Sequence, residues 1–270
     1  MNTLRLEVDG HVGRLVLDRP DKLNSFTVEM WHELRSLGQE LLADPGDIRA
    51  LIVTGEGRAF SSGIDTTVFS DGNVQLGVDD VGARHADPVV DGIMRTQEAY
   101  SWLEEVPFAT IAAVRGYALG AGLQIALACD MRIFARGTSV GLLEMKYGIL
   151  PDLGGTQRLP RLVGPGKAKE LIFTSARIEA EEAHRIGLCE QLVSDEELEQ
   201  AANTLAQRIA DQPPLAVRYA KRAINASFDV AIEDGLRIEA EGQAVCLPSD
   251  DMKEAIAAFI EQRPPVYQNR

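Results

Sequence analysis

The sequence predicts an α/β fold with a helical C-terminal region, on three observations. Short apolar runs of buried-strand length recur in the first half, at Ala50-Leu51-Ile52-Val53, Thr110 to Val114 and Met131 to Phe134. Segments of helical spacing separate them, and a glycine-containing stretch follows each of the three runs. From about Gly166 onward, helical patterns dominate. Two regions are therefore expected, a core over residues 1–200 and a helical region over 201–270.

Taken in order, Leu4, Leu6 and Val8 alternate with polar residues, and Val12, Leu15 and Leu17 follow across Asp9-Gly10, which reads as a β-hairpin. After the break at Asp18 to Lys22, Thr27 is an expected N-cap for an amphipathic helix carrying Met30, Trp31, Leu34, Leu37, Leu41 and Leu42 on its apolar side. Asp44-Pro45-Gly46 ends that helix, and the strand Ala50 to Val53 follows. Thr66 to Val90 lacks periodicity and is rich in Asp and Gly, so it reads as a loop or lid over a site. A helix is expected from about Asp91 through Trp102, stopped by Pro107. The strand Thr110 to Val114, a glycine-punctuated turn from Gly116 to Gly122, an apolar helix from Leu123 to Ala128 and the strand Met131 to Phe134 come next. Ala180 to Ile186 and Asp195 to Asp211 read as helices, followed beyond Pro213-Pro214 by Leu215 to Asn225, Val230 to Val245 and Asp250 to Gln262. These last helices are too weakly hydrophobic to bury much alone and should pack on the core or on a neighbouring subunit.

Composition narrows the function classes. The net charge of −14, from 27 basic and 41 acidic residues, opposes a nucleic-acid partner, because a polyanion would be repelled over most of the surface. A small anion held by a few local cations remains compatible with it. The N-terminal residues form no apolar signal core and no run reaches the roughly 18 apolar residues of a membrane span, so the expected location is the cytoplasm. Cys129, Cys189 and Cys246 lie far apart with no C-x-x-C pair, and the four histidines have no metal-ligand spacing, so neither disulfides nor a metal site are expected.

The chemistry is concentrated in three stretches: Gly57 to Asp65, Arg115 to Gln124 and Glu144 to Pro160. Small residues ahead of a helix let the backbone approach a ligand, and the helix N-terminus presents free N–H groups and a partial positive charge. The glycines at 116, 120 and 122 do not fit the dinucleotide fingerprint, and no P-loop lysine is present. Taken together, the stretches resemble the crotonase (enoyl-CoA hydratase/isomerase) family: Ala59-Phe60 to Asp65 is similar to its A-F-x-x-G-x-D loop, Gly116 to Gly122 to its glycine turn ending in Cys129-Asp130, and Glu144 to Leu159 to its E-x-x-x-G-x-x-P-x-x-G-G-T-Q-R-L segment. The resemblance runs in order from Arg14 to Pro264.

That resemblance implies a crotonase-like spiral of ββα units with a helical C-terminal region that serves assembly or covers the active site, and a homotrimer or dimer of trimers. It implies an acyl-CoA substrate, with CoA entering only as part of that substrate and no other cofactor. The shared chemistry is stabilisation of a thioester enolate by two backbone N–H groups, which by position are those of Ile64 and Ala121. Glu144 falls on one catalytic glutamate of the family, whereas the second glutamate of the hydratases is Gln124 here. An amide can hold a water but cannot accept its proton at neutral pH. Asp152 offers a second carboxylate, as in the family's dienoyl-CoA isomerases, and tilts the expectation toward double-bond isomerisation; hydration with Gln124 holding the water and acyl-CoA binding without catalysis are the alternatives. Asp65 is expected to fix the first loop, and Asp130 to accept from loop N–H groups. Lys22, Leu23, Arg58, Ser62, Gly63 and Gly120 complete the expected substrate and CoA contacts.

Overall fold

A computed structural model of the chain describes residues 1–68 and 85–269. The expected hairpin is present: β1 (Leu4–Asp9) pairs antiparallel with β2 (Val12–Leu17), turning at Gly10, which has φ +55°. The Thr27 hydroxyl caps α1 (Val28–Ala43) by accepting from the Met30 N–H at 3.3 Å. Then come β3 (Ala50–Gly55), α2 (Pro88–Glu105), β4 (Ala109–Val114), β5 (Tyr117–Leu119), α3 (Ala121–Ala128), β6 (Met131–Ala135) and β7 (Ser139–Gly141). A 3-10 turn at Glu144–Tyr147 leads into α4 (Gly155–Val163) and α5 (Pro165–Thr174), followed by β8 (Ile178–Glu179), α6 (Ala180–Arg185), β9 (Gln191–Val193) and α7 (Leu198–Ala210). The chain closes with α8 (Pro214–Ala226), α9 (Ile232–Cys246) and α10 (Asp250–Glu261).

Period-two alternation divides these strands between two cores. The main sheet has the order β1-β2-β3-β4-β6-β9, parallel from β2 onward. Leu51 and Val53 of β3, Ala112 and Val114 of β4 and Phe134 of β6 face the larger core, with α1, α2 and α3. Their alternates, Ala50, Ile52, Ile111, Ala113, Ile133 and Ala135, face Leu198, Ala202 and Ala206 of α7. A parallel sheet covered on both faces has near-continuous apolar strands, which is why these runs were visible in the sequence. The expected division after residue 200 falls inside α7, whose apolar side closes the sheet.

The second sheet, β5-β7-β8, is made of strands of two or three residues. The stretch expected as a turn from Gly116 to Gly122 therefore contains a strand, and β7, β8 and β9 are additions to the expected elements. Two isolated parallel bridges, Phe26 with Ile64 and Ser61 with Ala118, extend this layer toward the N-terminus. Successive turns of the chain thus place one segment in each layer and then a helix, which is the ββα spiral. Helix α2 starts earlier than expected, at Pro88, because the Asp87 carboxylate accepts from the Val89 N–H at 2.8 Å. Most of the lid expected over Thr66 to Val90 lies outside the described residues.

Helices α8 to α10 are pinned at few points. The side chain of Lys221 in α8 is 8% exposed and donates to the carbonyls of Leu103 at 2.8 Å and Phe108 at 3.0 Å while pairing with Asp130 at 2.9 Å. Asp130 also accepts from the Thr110 N–H at 2.7 Å, so it fixes the β4 entry as well. Lys221→Met should lower stability by about 3 kcal/mol, the usual cost of breaking a buried pair and orphaning its acceptors. A urea unfolding midpoint equal to that of the unsubstituted chain would contradict this. Beyond α8 burial is slight: Gly242 is the buried residue of α9, and Ile232, Phe259 and Ile260 are strongly exposed. Among the described residues, no helix is long and apolar enough to cross a membrane.

Candidate active site

The bridge between Ser61 and Ala118 organises the centre of the molecule. The Ser61 N–H donates to Tyr117 O at 2.8 Å and the Leu119 N–H to Ser61 O at 3.1 Å, a parallel pairing of the first two glycine stretches. Counting three residues on from each bridged partner gives Ile64 and Ala121. Both residues follow that bridge by three positions and line the same cavity. The Ile64 N–H is turned away from its bridge to Phe26, whose bonds use Gly63 O and the Asp65 N–H. Ala121 is the first residue of α3, where an N–H has no intrahelical partner. Neither donor is taken by another group among the described residues.

Glycine is required where these segments touch. Gly63 has φ +105° and a Cβ there would sit 2.9 Å from Leu119 O. Gly120, with φ +51° and ψ −121°, directs its N–H to Gly141 O and brings the turn against Glu144, whose Oε1 would lie 3.3 Å from an added Cβ. Asp65 steadies the first segment by accepting from the Thr67 N–H, the Thr67 hydroxyl, Arg19 and Ser25, at 2.9 to 3.1 Å. Burial works against its charge, but these bonds outweigh it and hold the carboxyl at about 2.

A cavity of about 540 Å³ opens on these groups. Ser62, Gly63, Ile64, Gly120, Ala121 and Glu144 line it, all expected from the sequence, together with Thr66, Leu119, Leu143, Tyr147 and Ile149. Thr66 was expected only as the start of the lid, and the other four were missed because nothing in their type marks them. Only their place beside Gly63, Gly120 and Glu144 could have suggested them. Glu144 is the one carboxylate among the described lining residues. It is 6% exposed, and its Oε2 is buried without a hydrogen-bond partner among the described residues. Burial raises its pKa above the ordinary value, and the charge of Asp152 adds to the rise, against the pull of its own N–H and of Gln124.

The other expected residues stand further from the cavity. Gln124 is 1% exposed and faces the protein: its Nε2 donates to Glu144 Oε1 at 2.8 Å, and its Oε1 accepts from the N–H groups of Leu153 at 2.8 Å and Gly155 at 2.9 Å. Asp152 is half-buried in the turn before α4, with its pKa raised by burial, near enough to influence Glu144 without lining the cavity. Lys22 and Arg58 are exposed and form no ion pair among the described residues. Leu23, in the left-handed region at φ +49°, accepts from the Ser62 N–H at 2.9 Å and ties the Lys22 turn to the first segment. Among the described residues, no group of three His, Cys, Asp or Glu could hold a metal.

The whole arrangement can be set beside known proteins. The family profile described as enoyl-CoA hydratase/isomerase matches residues 7–270. The chain belongs to this family. Among its members, the short-chain-enoyl-CoA hydratase of Clostridium acetobutylicum is 37% identical over 97% of this chain and 96% of its own. An enoyl-CoA hydratase structure from Bacillus anthracis superposes with a TM-score of 0.89 at 34% identity, covering 99% of this chain and all of that one. A Thermobifida fusca structure in complex with acetoacetyl-CoA gives 0.81 at 37% identity, over 91% of this chain and 94% of that one. The spiral and its three loops are therefore those of the crotonase superfamily.

Proposed function

We propose that the protein is an enoyl-CoA isomerase, moving a carbon–carbon double bond within an acyl-CoA. The observation that carries this reading is Glu144, the one carboxylate among the described residues that line a cavity holding two main-chain N–H groups, Ile64 and Ala121, with no partner among the described residues. The Ile64 and Ala121 N–H groups bind the thioester oxygen, so charge that develops there on enolisation meets fixed dipoles. With the carbonyl polarised, Glu144 takes the proton from the α-carbon, electrons spread over the dienolate, and the same oxygen returns the proton at the γ-carbon. No water is consumed and no second base is needed. Asp152 raises the proton affinity of Glu144 by its charge, which suits a group that must take a proton from carbon. Lys22 and Arg58 serve the CoA phosphates, and CoA arrives as part of the substrate with no separate cofactor. The exposed apolar residues of α9 and α10, Ile232, Phe259 and Ile260, support assembly into a homo-oligomer, trimeric in the basic form.

Hydration is the second reading, favoured by the hydratase names of the relatives just described. It would need Glu144 to activate the water alone, since Gln124 is turned into the protein. The test follows 2-enoyl-, 3-enoyl- and dienoyl-CoA by absorbance, with the unsubstituted chain and with Asp152→Asn. Isomerisation predicts double-bond migration that slows in Asp152→Asn. Loss of the 2-enoyl chromophore to a hydroxyacyl product, unaffected by Asp152→Asn, would establish the hydratase instead, and tight binding without turnover would reject both.

A further inference from the structure

We infer that Gln124 is a positioning residue: it holds Glu144 with one oxygen committed and the other unpaired, and takes its own alignment from the turn that leads into α4. The inference rests on the reading of Glu144 as the base and says how that base is aimed. The two main-chain N–H groups of Leu153 and Gly155 can only donate, so they fix which end of the Gln124 amide is oxygen. The NH2 end is then the one that meets Glu144 Oε1, at 2.8 Å. With Oε1 so occupied, Oε2 is the carboxylate oxygen without a partner among the described residues.

The turn itself is anchored from α2. Gln97 Nε2 donates to Asp152 O at 2.6 Å, and Arg158 Nη1 donates to Leu153 O at 2.9 Å while its Nη2 bonds Glu104 at 2.6 Å. A hydrogen-bonded line therefore runs from α2 through the turn and Gln124 to the carboxylate, so the setting of the turn becomes the setting of the base. A hydrophobic residue of the same length would fill the space but leave Glu144 Oε1, Leu153 N–H and Gly155 N–H without partners. A carboxylate there would keep the acceptor for the turn yet bring two acceptor oxygens together where the 2.8 Å bond now lies, and the pair could remain only by sharing a proton. The titratable groups that face Glu144 from the packed elements are Asp152 of the turn and the buried Tyr100 of α2.

The test titrates the Glu144 side-chain carboxyl by 13C NMR, its resonance assigned by its loss in Glu144→Gln, in the unsubstituted chain, Gln124→Met and Gln124→Glu. Each is also assayed for 3-enoyl-CoA turnover across pH. The expected result is a titration midpoint raised by about one unit or more in Gln124→Met and further in Gln124→Glu, with kcat down about tenfold or more and KM nearly unchanged. Gln124→Glu keeps an acceptor for the turn and carries the test should Gln124→Met not fold. Midpoints unchanged in both variants, with a kcat loss independent of pH, would reduce Gln124 to packing and overturn the inference. Turnover that survives Glu144→Gln would instead sink the assignment of the base, and with it the catalytic sense of the Gln124 bond.

Discussion

Glu144→Gln should remove turnover while leaving acyl-CoA binding intact. The expected loss in kcat is about 10²- to 10⁴-fold, the usual worth of a positioned general base, with KM within a few-fold. The amide is nearly isosteric, and its oxygen can still accept from Gln124, so the site keeps its shape. Proton transfer alone is lost. Because Glu144 must be ionised to act and burial raises its pKa, kcat/KM of the unsubstituted chain should fall on the acid side at a pH above the ordinary glutamate value of 4.5. The sign for stability follows from the same shift. A carboxyl with a raised folded-state pKa binds its proton more tightly in the native state, so ionising it as pH rises costs folding free energy. Glu144→Gln should therefore unfold at neutral pH no earlier than the unsubstituted chain. A marked fall in its thermal midpoint would show that Glu144 holds the fold, contrary to this account.

Ala121→Pro is the corresponding test of the oxyanion donors. Position 121 opens α3, where proline's fixed φ is compatible with the helix and its missing N–H breaks no intrahelical bond. The substitution deletes one of the two N–H groups assigned to the thioester oxygen and puts a ring carbon in its place. The expected loss is about 10²- to 10³-fold in kcat with secondary structure retained. Retained activity in a folded Ala121→Pro protein would remove Ala121 from the mechanism. Circular dichroism alongside the rates separates the two ways the variant can fail.

Why the first expectations succeeded and where they fell short can be read from individual residues. The runs Ala50 to Val53 and Thr110 to Val114 were legible because both faces of a covered parallel sheet are apolar. β5, β7, β8 and β9 were not, because strands of two or three residues are too short to show a period and owe their existence to neighbours across the spiral. Gly63 and Gly120 could be found because positive φ at both, and close backbone approach at Gly63, favour glycine, and that requirement leaves a mark on the sequence. The direction of a side chain leaves none. Gln124 reads the same whether its amide faces a substrate water or, as here, the carboxylate of Glu144 and two main-chain N–H groups. Tyr147 and Ile149 entered the cavity lining by the path of the chain around Gly148, at φ +72°, and not by any chemistry of their own.

The most direct measurement is a crystal structure of this protein with acetoacetyl-CoA bound. The account predicts the thioester oxygen within roughly 2.7–3.1 Å of both the Ile64 and Ala121 nitrogens, with Glu144 Oε2 against the α-carbon. A thioester oxygen that meets neither nitrogen, or a Glu144 carboxylate turned from the acyl chain, would contradict it.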